Sequence, residues 1–153
     1  MSFQLSKDEL NWISLLLEKT GAMAKDCIIE DESITFLLDK EMVGKVIGKK
    51  GATIKQLRQD FSKEVQVIEF SDNLSGLATN TISPVKPLNI SLNNKNGKQT
   101  VVVTVSQKDR PRAIGKNGSV LKRSRAVLKR HYDIDNVFIN VEKQNLKRNN
   151  NKQ

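Results

Sequence analysis

The sequence lacks most of the residue types from which catalytic and metal centres are built. It contains one cysteine and one histidine in 153 residues. A single cysteine excludes an internal disulfide and a cysteine-based zinc or iron–sulfur site, and the apolar neighbours of Cys27 predict a buried structural residue. His131 stands alone, so neither a catalytic triad nor a histidine metal site is indicated. Because no carboxylate cluster or nucleophile–base pair emerges either, we expect no enzymatic activity, no catalytic residue and no cofactor.

Long apolar runs are also missing. No stretch approaches the roughly 18 apolar residues that a membrane-spanning helix needs. The first residues lead into a helix-like segment with Asp8 and Glu9 instead of an apolar signal core. These features predict a soluble, cytoplasmic protein with no membrane partner.

Aromatic residues make up only 5% of the chain. Phe36, Phe61, Phe70 and Phe138 lie singly within apolar runs, so we expect them in the core. Trp12 lies on the apolar stripe of the first predicted helix and is also expected there. An aromatic platform for stacking bases, as in RRM domains, is therefore not indicated.

Acidic residues are outnumbered by basic ones. The chain has 26 Lys and Arg against 17 Asp and Glu, a formal net charge of +9. That excess is larger than solubility requires and predicts a polyanionic partner.

An internal repeat is the strongest positive signal. Twice the chain shows a hairpin pattern, a short helix, the segment Ile-Gly-Lys-x-Gly, a longer basic helix and a final strand, and Gly48 and Gly115 lie 67 positions apart (115 − 48). The pattern predicts a first domain at 1–72, with an N-terminal helix, and a second at 73–143. The Asn- and Lys-rich segment 144–153 is predicted to be a disordered tail. The junction, Asn73 to Ser83, is predicted to be weakly helical at best before Pro84 and Pro87.

The repeated segments resemble the core of the KH family. Val46-Ile47-Gly48-Lys49-Lys50-Gly51-Ala52-Thr53-Ile54-Lys55 and Ala113-Ile114-Gly115-Lys116-Asn117-Gly118-Ser119-Val120-Leu121-Lys122 are both similar to its VIGxxGxxI pattern. Because each hairpin precedes its helix–loop–helix, the order resembles the type II version. The resemblance implies an α+β fold of two consecutive type II KH domains, each a three-stranded mixed sheet packed against helices, with a GxxG loop. It also implies binding of a short single strand of RNA in a groove between loop and sheet.

The chemistry of such loops suits a sugar-phosphate chain. Glycines let the ligand backbone approach closely, and the helix that begins after each loop directs free N–H groups and its positive dipole end toward phosphate. Lysines add mobile charge. The RNA-binding residues that we expect are Ile47, Gly48, Lys49, Lys50, Gly51, Lys55, Arg112, Ile114, Gly115, Lys116, Asn117, Gly118, Lys122 and Arg123.

Several of these residues have a second interpretation. Ile47 and Ile114 are apolar residues of a kind more often found in the core than against a base. The basic residues of the last predicted helix could form a solvated face, but they have no comparable set of acidic partners at i±4 spacing, which favours phosphate contact. These residues are Lys122, Arg123, Arg125, Lys129 and Arg130.

The overall layout resembles the short archaeal NusA-like transcription factors. That resemblance implies a role in transcription elongation, termination or antitermination on nascent RNA, with RNA polymerase as a further partner. The chain has no room for the polymerase-binding and S1 domains of longer bacterial relatives. Alternatives are a ribosome-assembly factor or RNA chaperone that binds ribosomal RNA, and a protein interaction module with vestigial loops. Single-stranded DNA is left open as a ligand.

Overall fold

The computed structural model describes residues 3–142, so the predicted tail 144–153 lies outside the described residues. In chain order the elements are α1 (Lys7–Thr20), β1 (Asp26–Ile29), β2 (Ser33–Leu38), α2 (Lys40–Ile47), α3 (Ala52–Phe61), β3 (Glu64–Glu69), α4 (Leu74–Thr81), β4 (Asn89–Lys95), β5 (Lys98–Val105), α5 (Arg110–Ile114), α6 (Ser119–Tyr132) and β6 (Asn136–Val141). Single 3₁₀ turns occupy Lys49–Gly51, Gln107–Asp109 and Lys116–Gly118. Within residues 3–142, no helix has both the length and the apolar character needed to cross a membrane.

Two three-stranded sheets form the framework. In the first sheet β1 pairs antiparallel with β2 and β2 pairs parallel with β3. In the second sheet β4, β5 and β6 repeat this arrangement. A parallel pair needs a crossover connection, which α2 and α3 supply in the first repeat and α5 and α6 in the second. The predicted fold of two mixed sheets, each with helices and a GxxG loop, is confirmed.

Helix α1 begins and ends at local sequence signals. The Ser6 Oγ accepts a hydrogen bond from the Glu9 N–H at 3.1 Å, and a Glu9 carboxylate oxygen accepts one from the Ser6 N–H at 2.7 Å. Gly21 ends the helix in the left-handed conformation, with φ of 77°. Ile13 and Leu16 are buried on its inner face.

The two faces of the first sheet pack into two different hydrophobic cores. On β2, Ile34, Phe36 and Leu38 pack with α1, α2 and α3 in the core of the first repeat. Leu37 points to the other face, because side chains alternate along a strand. With Ile28 and Ile68, Leu37 belongs to a second core built mainly by residues 77–137. The second repeat therefore covers the outer face of the first sheet.

Helix α4 is better formed than its composition suggests. The segment Asn73 to Ser83 was expected to be weakly helical, yet Leu74–Thr81 is an α-helix whose N-cap, Asn73, accepts a hydrogen bond from the Gly76 N–H at 2.7 Å. Leu77, Ala78 and Thr81 are buried. The Thr81 hydroxyl lies 2.8 Å from that of Ser124 on α6. Burial against α6 thus outweighs weak helix propensity.

A buried charge cluster joins α6 to the first repeat. Arg130 contacts a carboxylate oxygen of Asp26 and one of Glu9, each at 2.7 Å, and His131 Nε2 lies 2.8 Å from the other Asp26 oxygen. The Cys27 N–H donates to the same Asp26 carboxylate at 2.7 Å. Burial alone would lower the pKa of the Arg130 guanidinium, but the hydrogen bonds and charges of Glu9 and Asp26 outweigh burial and raise it.

This cluster depends on the length of α6. Helix α6 has 14 residues, whereas its counterpart α3 has 10. The last turn of α6 carries Lys129 to Tyr132 and therefore both Arg130 and His131. The additional turn at the C-terminus of α6 therefore brings Arg130 and His131 into contact with Asp26.

The thiol of Cys27 lies inside the first repeat. Its burial, reinforced by the negative charge of Asp26, raises the pKa of Cys27 to about 12. The thiol is thus protonated at neutral pH, and the predicted structural role is confirmed.

The expectation that Phe138 belongs to the core is wrong. Phe36 and Phe61 are buried, but Phe138 is 49% exposed on β6. It pairs in register with Val102 on the outer face of the second sheet. The corresponding pair of the first sheet is Thr35 and Gln66, where the second repeat packs. No such cover lies over Phe138 in the described part of the chain.

Replacing Asp26 by alanine should destabilise the fold. The substitution leaves Arg130 and His131 without their shared partner inside the structure, which costs about 3 kcal/mol of unfolding free energy. Urea unfolding followed by circular dichroism measures this loss. Asp60→Ala, which removes an exposed ion pair with Lys19, is the control and should shift the midpoint little. Equal midpoints for the two variants would contradict a stabilising role for the buried cluster.

Candidate nucleic-acid interface

The first GxxG loop connects α2 to α3 through three residues with positive φ, Gly48, Lys50 and Gly51. Gly48 has φ of 76° and ψ of 175°, which is a region open almost only to glycine. Lys50, at 54° and 28°, and Gly51, at 76° and 14°, are both left-handed. The chain therefore reverses within four residues and starts α3 at Ala52.

The second loop repeats this geometry. Gly115 has φ of 81° and ψ of 168°, Asn117 has 57° and 27°, and Gly118 has 75° and 16°. Each angle lies within 7° of its counterpart in the first loop. Asn117 takes the left-handed position that Lys50 occupies, and asparagine tolerates that conformation well. The repeated sequence thus specifies one loop conformation twice.

The two glycines of each loop have different structural roles. A Cβ on Gly48 would overlap the Thr53 side chain, and one on Gly115 would lie 2.6 Å from Val120 Cγ2. A Cβ on Gly51 or Gly118 would meet nothing within 4 Å, so these glycines leave open space in front of the loop. The first glycine of each pair therefore fits against the following helix, and the second presents bare backbone outward.

Each loop is followed directly by a helix whose N-terminus has no side-chain cap. The N-cap residues of α3 and α6 are Gly51 and Gly118, neither of which has a side chain to accept from the first N–H groups. The positive dipole end of each helix therefore faces outward beside exposed lysines. This arrangement favours an anion such as phosphate.

The predicted basic residues divide into two groups. Lys49, Lys50, Lys55, Lys116 and Lys122 are exposed, and within residues 3–142 none of them forms an ion pair. Arg112 is also largely exposed, 3.8 Å from Asp109. These side chains are available to a ligand.

The arginines of α6 have partners within the protein. Arg123 is only 8% exposed and donates to the Gln66 side chain and to the Thr81 carbonyl oxygen. Burial lowers the pKa of its guanidinium, although the negative charge of Glu30 acts in the opposite direction. Arg125 donates to the Val137 carbonyl oxygen. Together with Arg130, these residues hold the structure together instead of forming the phosphate-facing row that their sequence suggests.

The two isoleucines that precede the loops differ in exposure. Ile47 is 37% exposed, while Ile114 is half-buried and Ala113 before it is fully buried. Each side chain therefore presents an apolar surface next to its glycine. The sequence alone could not distinguish this position from a core position.

The second loop faces a groove of about 840 Å³ at the junction of the two repeats. One wall carries Lys116, Asn117, Ser119 and Lys122. The opposite wall belongs to the first repeat and carries Glu30, Asp31, Glu32, Ser33, Glu64 and Gln66. Sequence reasoning missed this wall, because an acidic turn between two strands gives no sign of which distant loop it faces. Among the described residues, no group of three His, Cys, Asp or Glu side chains is placed to hold a metal ion.

Comparison with known proteins places this geometry in a family. A KH domain model matches residues 33–86, which include the first loop. Proteins named "Probable transcription termination protein NusA" are 28% identical in Halococcus morrhuae, over 90% of this chain and 98% of that protein, and 28% identical in Methanocaldococcus jannaschii, over 95% and 79%. A solved structure, "Crystal structure of APE1850", is 34% identical, with a TM-score of 0.80 over 88% of this chain and 99% of that one.

The chain belongs to the NusA-like family of KH-domain proteins. The match to Halococcus morrhuae extends over 137 of the 153 residues. It therefore spans both GxxG loops of this NusA-like protein, although the KH domain model matches only the first. The structure shows why the second loop belongs to the same class, since its backbone angles reproduce those of the first.

Alanine substitutions should separate the roles of the loop glycines in this NusA-like protein. Gly48→Ala combines a glycine-only conformation with overlap against Thr53 and should cost about 3 kcal/mol or more. Gly51→Ala meets open space and should cost about 1 kcal/mol for its left-handed backbone. Chemical denaturation measures both values. Gly44→Ala, in the interior of α2 with no close atoms, is the control and should stabilise by about 0.5–1 kcal/mol. Similar losses for Gly48 and Gly51 would contradict the assigned roles.

Proposed function

We propose that the protein binds single-stranded RNA through its two GxxG loops and acts as a NusA-like factor in transcription elongation, termination or antitermination. The observation that carries this proposal is the matched geometry of the loops. Each offers an uncapped helix N-terminus, an outward glycine and unpaired lysines, a combination that suits the phosphates of an extended strand.

Each residue of the proposed interface has a distinct task. Gly51 and Gly118 let the RNA backbone approach closely, and Lys49, Lys50 and Lys116 neutralise phosphates. Asn117 supplies a neutral amide instead of a fourth lysine. Lys55, Lys122 and Arg112 extend the positive surface along the neighbouring helices. The backbone N–H groups of Gly48 and Gly115 are not available, because they donate to the preceding helices.

The apolar and buried members of the set act differently. Exposed Ile47 and half-buried Ile114 provide apolar surface on which a base can rest. The guanidinium of Arg123 is bonded to Gln66 and Thr81, so we assign it a positioning role beneath the groove instead of a phosphate contact.

The relatives support the transcriptional part of the proposal. They are named as probable transcription termination proteins, and the chain covers 98% of the Halococcus morrhuae protein. We therefore favour nascent RNA as the ligand and RNA polymerase as an additional partner. The function proposed is regulatory and not enzymatic.

Reversing the charge of either loop should weaken RNA binding. Lys49→Asp/Lys50→Asp and Lys116→Asp/Asn117→Asp place carboxylates where phosphates are proposed to lie, and each should lower the affinity for single-stranded RNA at least about tenfold. Titration over a salt series, with single-stranded DNA and duplex RNA as comparison ligands, measures the effect. The parent should prefer single-stranded RNA, with a slope of about −0.7 per neutralised phosphate.

A hairpin variant provides the matched control. Lys95→Asp/Lys98→Asp reverses two exposed lysines at the β4–β5 turn, away from both loops in sequence. It changes the net charge as much as the first loop variant and should weaken binding much less. If both loop variants bind RNA as tightly as the parent, the GxxG loops are not the binding site.

The transcriptional role predicts an effect on RNA polymerase. Added to a reconstituted system with the cognate polymerase, the parent protein should change pausing or read-through at terminators, because it would hold the emerging transcript. The loop variants, which should bind RNA weakly, should have little effect. Tight RNA binding without any change in pausing or read-through would instead support ribosome assembly or RNA chaperoning.

A further inference from the structure

The groove beside the second loop combines walls of opposite charge. Lys116 and Lys122 lie on one side, and Glu30, Asp31 and Glu32 lie on the other. Its volume of about 840 Å³ is within the range of clefts that bind small ligands. Because an RNA phosphate at the loop would be repelled by the opposite wall, that wall faces a different part of the nucleotide.

The acidic wall is built on a tight turn. The Glu30 N–H donates to the Ser33 carbonyl oxygen at 2.9 Å, which closes the connection between β1 and β2. The Asp31 carbonyl oxygen accepts from Lys63, and the Glu32 carbonyl oxygen accepts from the Glu64 N–H. Within the described residues, Glu30, Asp31 and Glu32 form no ion pair. Their carboxylates therefore remain as hydrogen-bond acceptors on a fixed backbone.

Gln66 adds an oriented donor beside these acceptors. Its side-chain oxygen accepts from buried Arg123 and from the Thr35 hydroxyl. An arginine can only donate, so it fixes which end of the amide is the oxygen. The Gln66 amide nitrogen has no partner among the described side chains and is free to donate into the groove that Gln66 lines. Arg123 also has one buried nitrogen, Nε, with no hydrogen-bond partner in the described residues.

This pattern of acceptors with one donor matches some base edges better than others. Adenine, cytosine and guanine each carry an exocyclic amino group, which can donate a hydrogen bond to a carboxylate. Beside that amino group each base has a ring atom or an oxygen that can accept a hydrogen bond. The single N–H donor of uracil lies between two carbonyl oxygens. Those oxygens would face the carboxylates, which is unfavourable because both groups carry negative charge and neither can donate a hydrogen bond.

We propose that the turn Glu30-Asp31-Glu32, with Gln66, selects amino-bearing bases over uracil in the nucleotide held by the second GxxG loop. This inference rests on the proposed function, since the loop must first hold the phosphate. The acidic wall lowers the overall affinity for RNA but favours bases that donate to it. Specificity at the second loop thus comes from the first repeat.

Oligo(C) and oligo(U) RNA of 12 nucleotides test this inference, because the two bases are similar in size and differ in their pairing edges. The parent should bind oligo(C) about fivefold more tightly than oligo(U). The variant Glu30→Gln/Asp31→Asn/Glu32→Gln keeps the side-chain shapes and removes three charges. For this variant, the ratio of the affinity for oligo(C) to the affinity for oligo(U) should fall below about two, chiefly through tighter binding of oligo(U).

A second charge-neutralised variant controls for net charge. Asp8→Asn/Glu18→Gln/Glu142→Gln removes three exposed charges outside the groove lining and should keep the parent ratio. Circular dichroism establishes that each variant is folded. Gln66→Ala should also reduce the ratio without changing net charge, which separates base recognition from simple repulsion.

The outcomes distinguish this inference from the proposed function. If the parent binds neither RNA, the proposed function fails. If it binds both equally, while the Lys116→Asp/Asn117→Asp variant loses binding, the loop is a site and the inference is overturned. A preference for oligo(C) that persists in the Glu30→Gln/Asp31→Asn/Glu32→Gln variant also overturns it, as does equal loss of affinity for both ligands.

Discussion

The carboxylate of Asp26 receives an arginine, an imidazole and a backbone N–H in a site with no exposure to solvent. A buried carboxylate is tolerated only when it is paired and hydrogen-bonded, so the position of α6 relative to β1 is strongly restricted. The same helix brings Arg123 and Ser124 against the first sheet and α4. The groove beside the second loop exists only because α6 is held there. The recognition proposed for that loop would therefore depend on the packing between the repeats.

The two loops combine one backbone geometry with different surroundings. The first carries Lys49 and Lys50, whereas the second carries Lys116 and Asn117 opposite an acidic turn. The backbone angles of the two loops agree within 7°, so under the proposed function both would offer a phosphate the same geometry, and the surrounding side chains would determine how strongly each loop attracts a polyanion. If the two proposals hold, the first loop contributes mainly to affinity and the second mainly to selectivity. Two copies of one motif can therefore differ in their binding properties.

Much of the fold follows from local sequence signals. The capping box at Ser6 and Glu9, the strand alternation and the repeated Ile-Gly-Lys-x-Gly segments specify the elements and both loop conformations. The sequence did not predict α4 as a firm helix, because Leu77, Ala78 and Thr81 gain their stability from burial against α6. It also placed Phe138 in the core, since the strand pattern shows that one face is apolar but not whether another element covers the opposite face. The sequence predicts a phosphate-facing position for Arg123 and Arg130. Their partners inside the protein, Gln66 and Asp26, lie far away in sequence, so no local pattern reveals these contacts.

The second repeat covers the outer face of the first sheet, and this matters while the chain is being synthesised. Ile28, Leu37 and Ile68 on the first sheet pack into a core that residues 77–137 supply. During synthesis from the N-terminus, these side chains leave the ribosome before their cover exists. The first repeat would then show an apolar face to other nascent chains and to chaperones until α6 is complete. No element within residues 3–142 covers the corresponding face of the second sheet, which carries mostly polar residues, so no comparable apolar face is exposed there during synthesis.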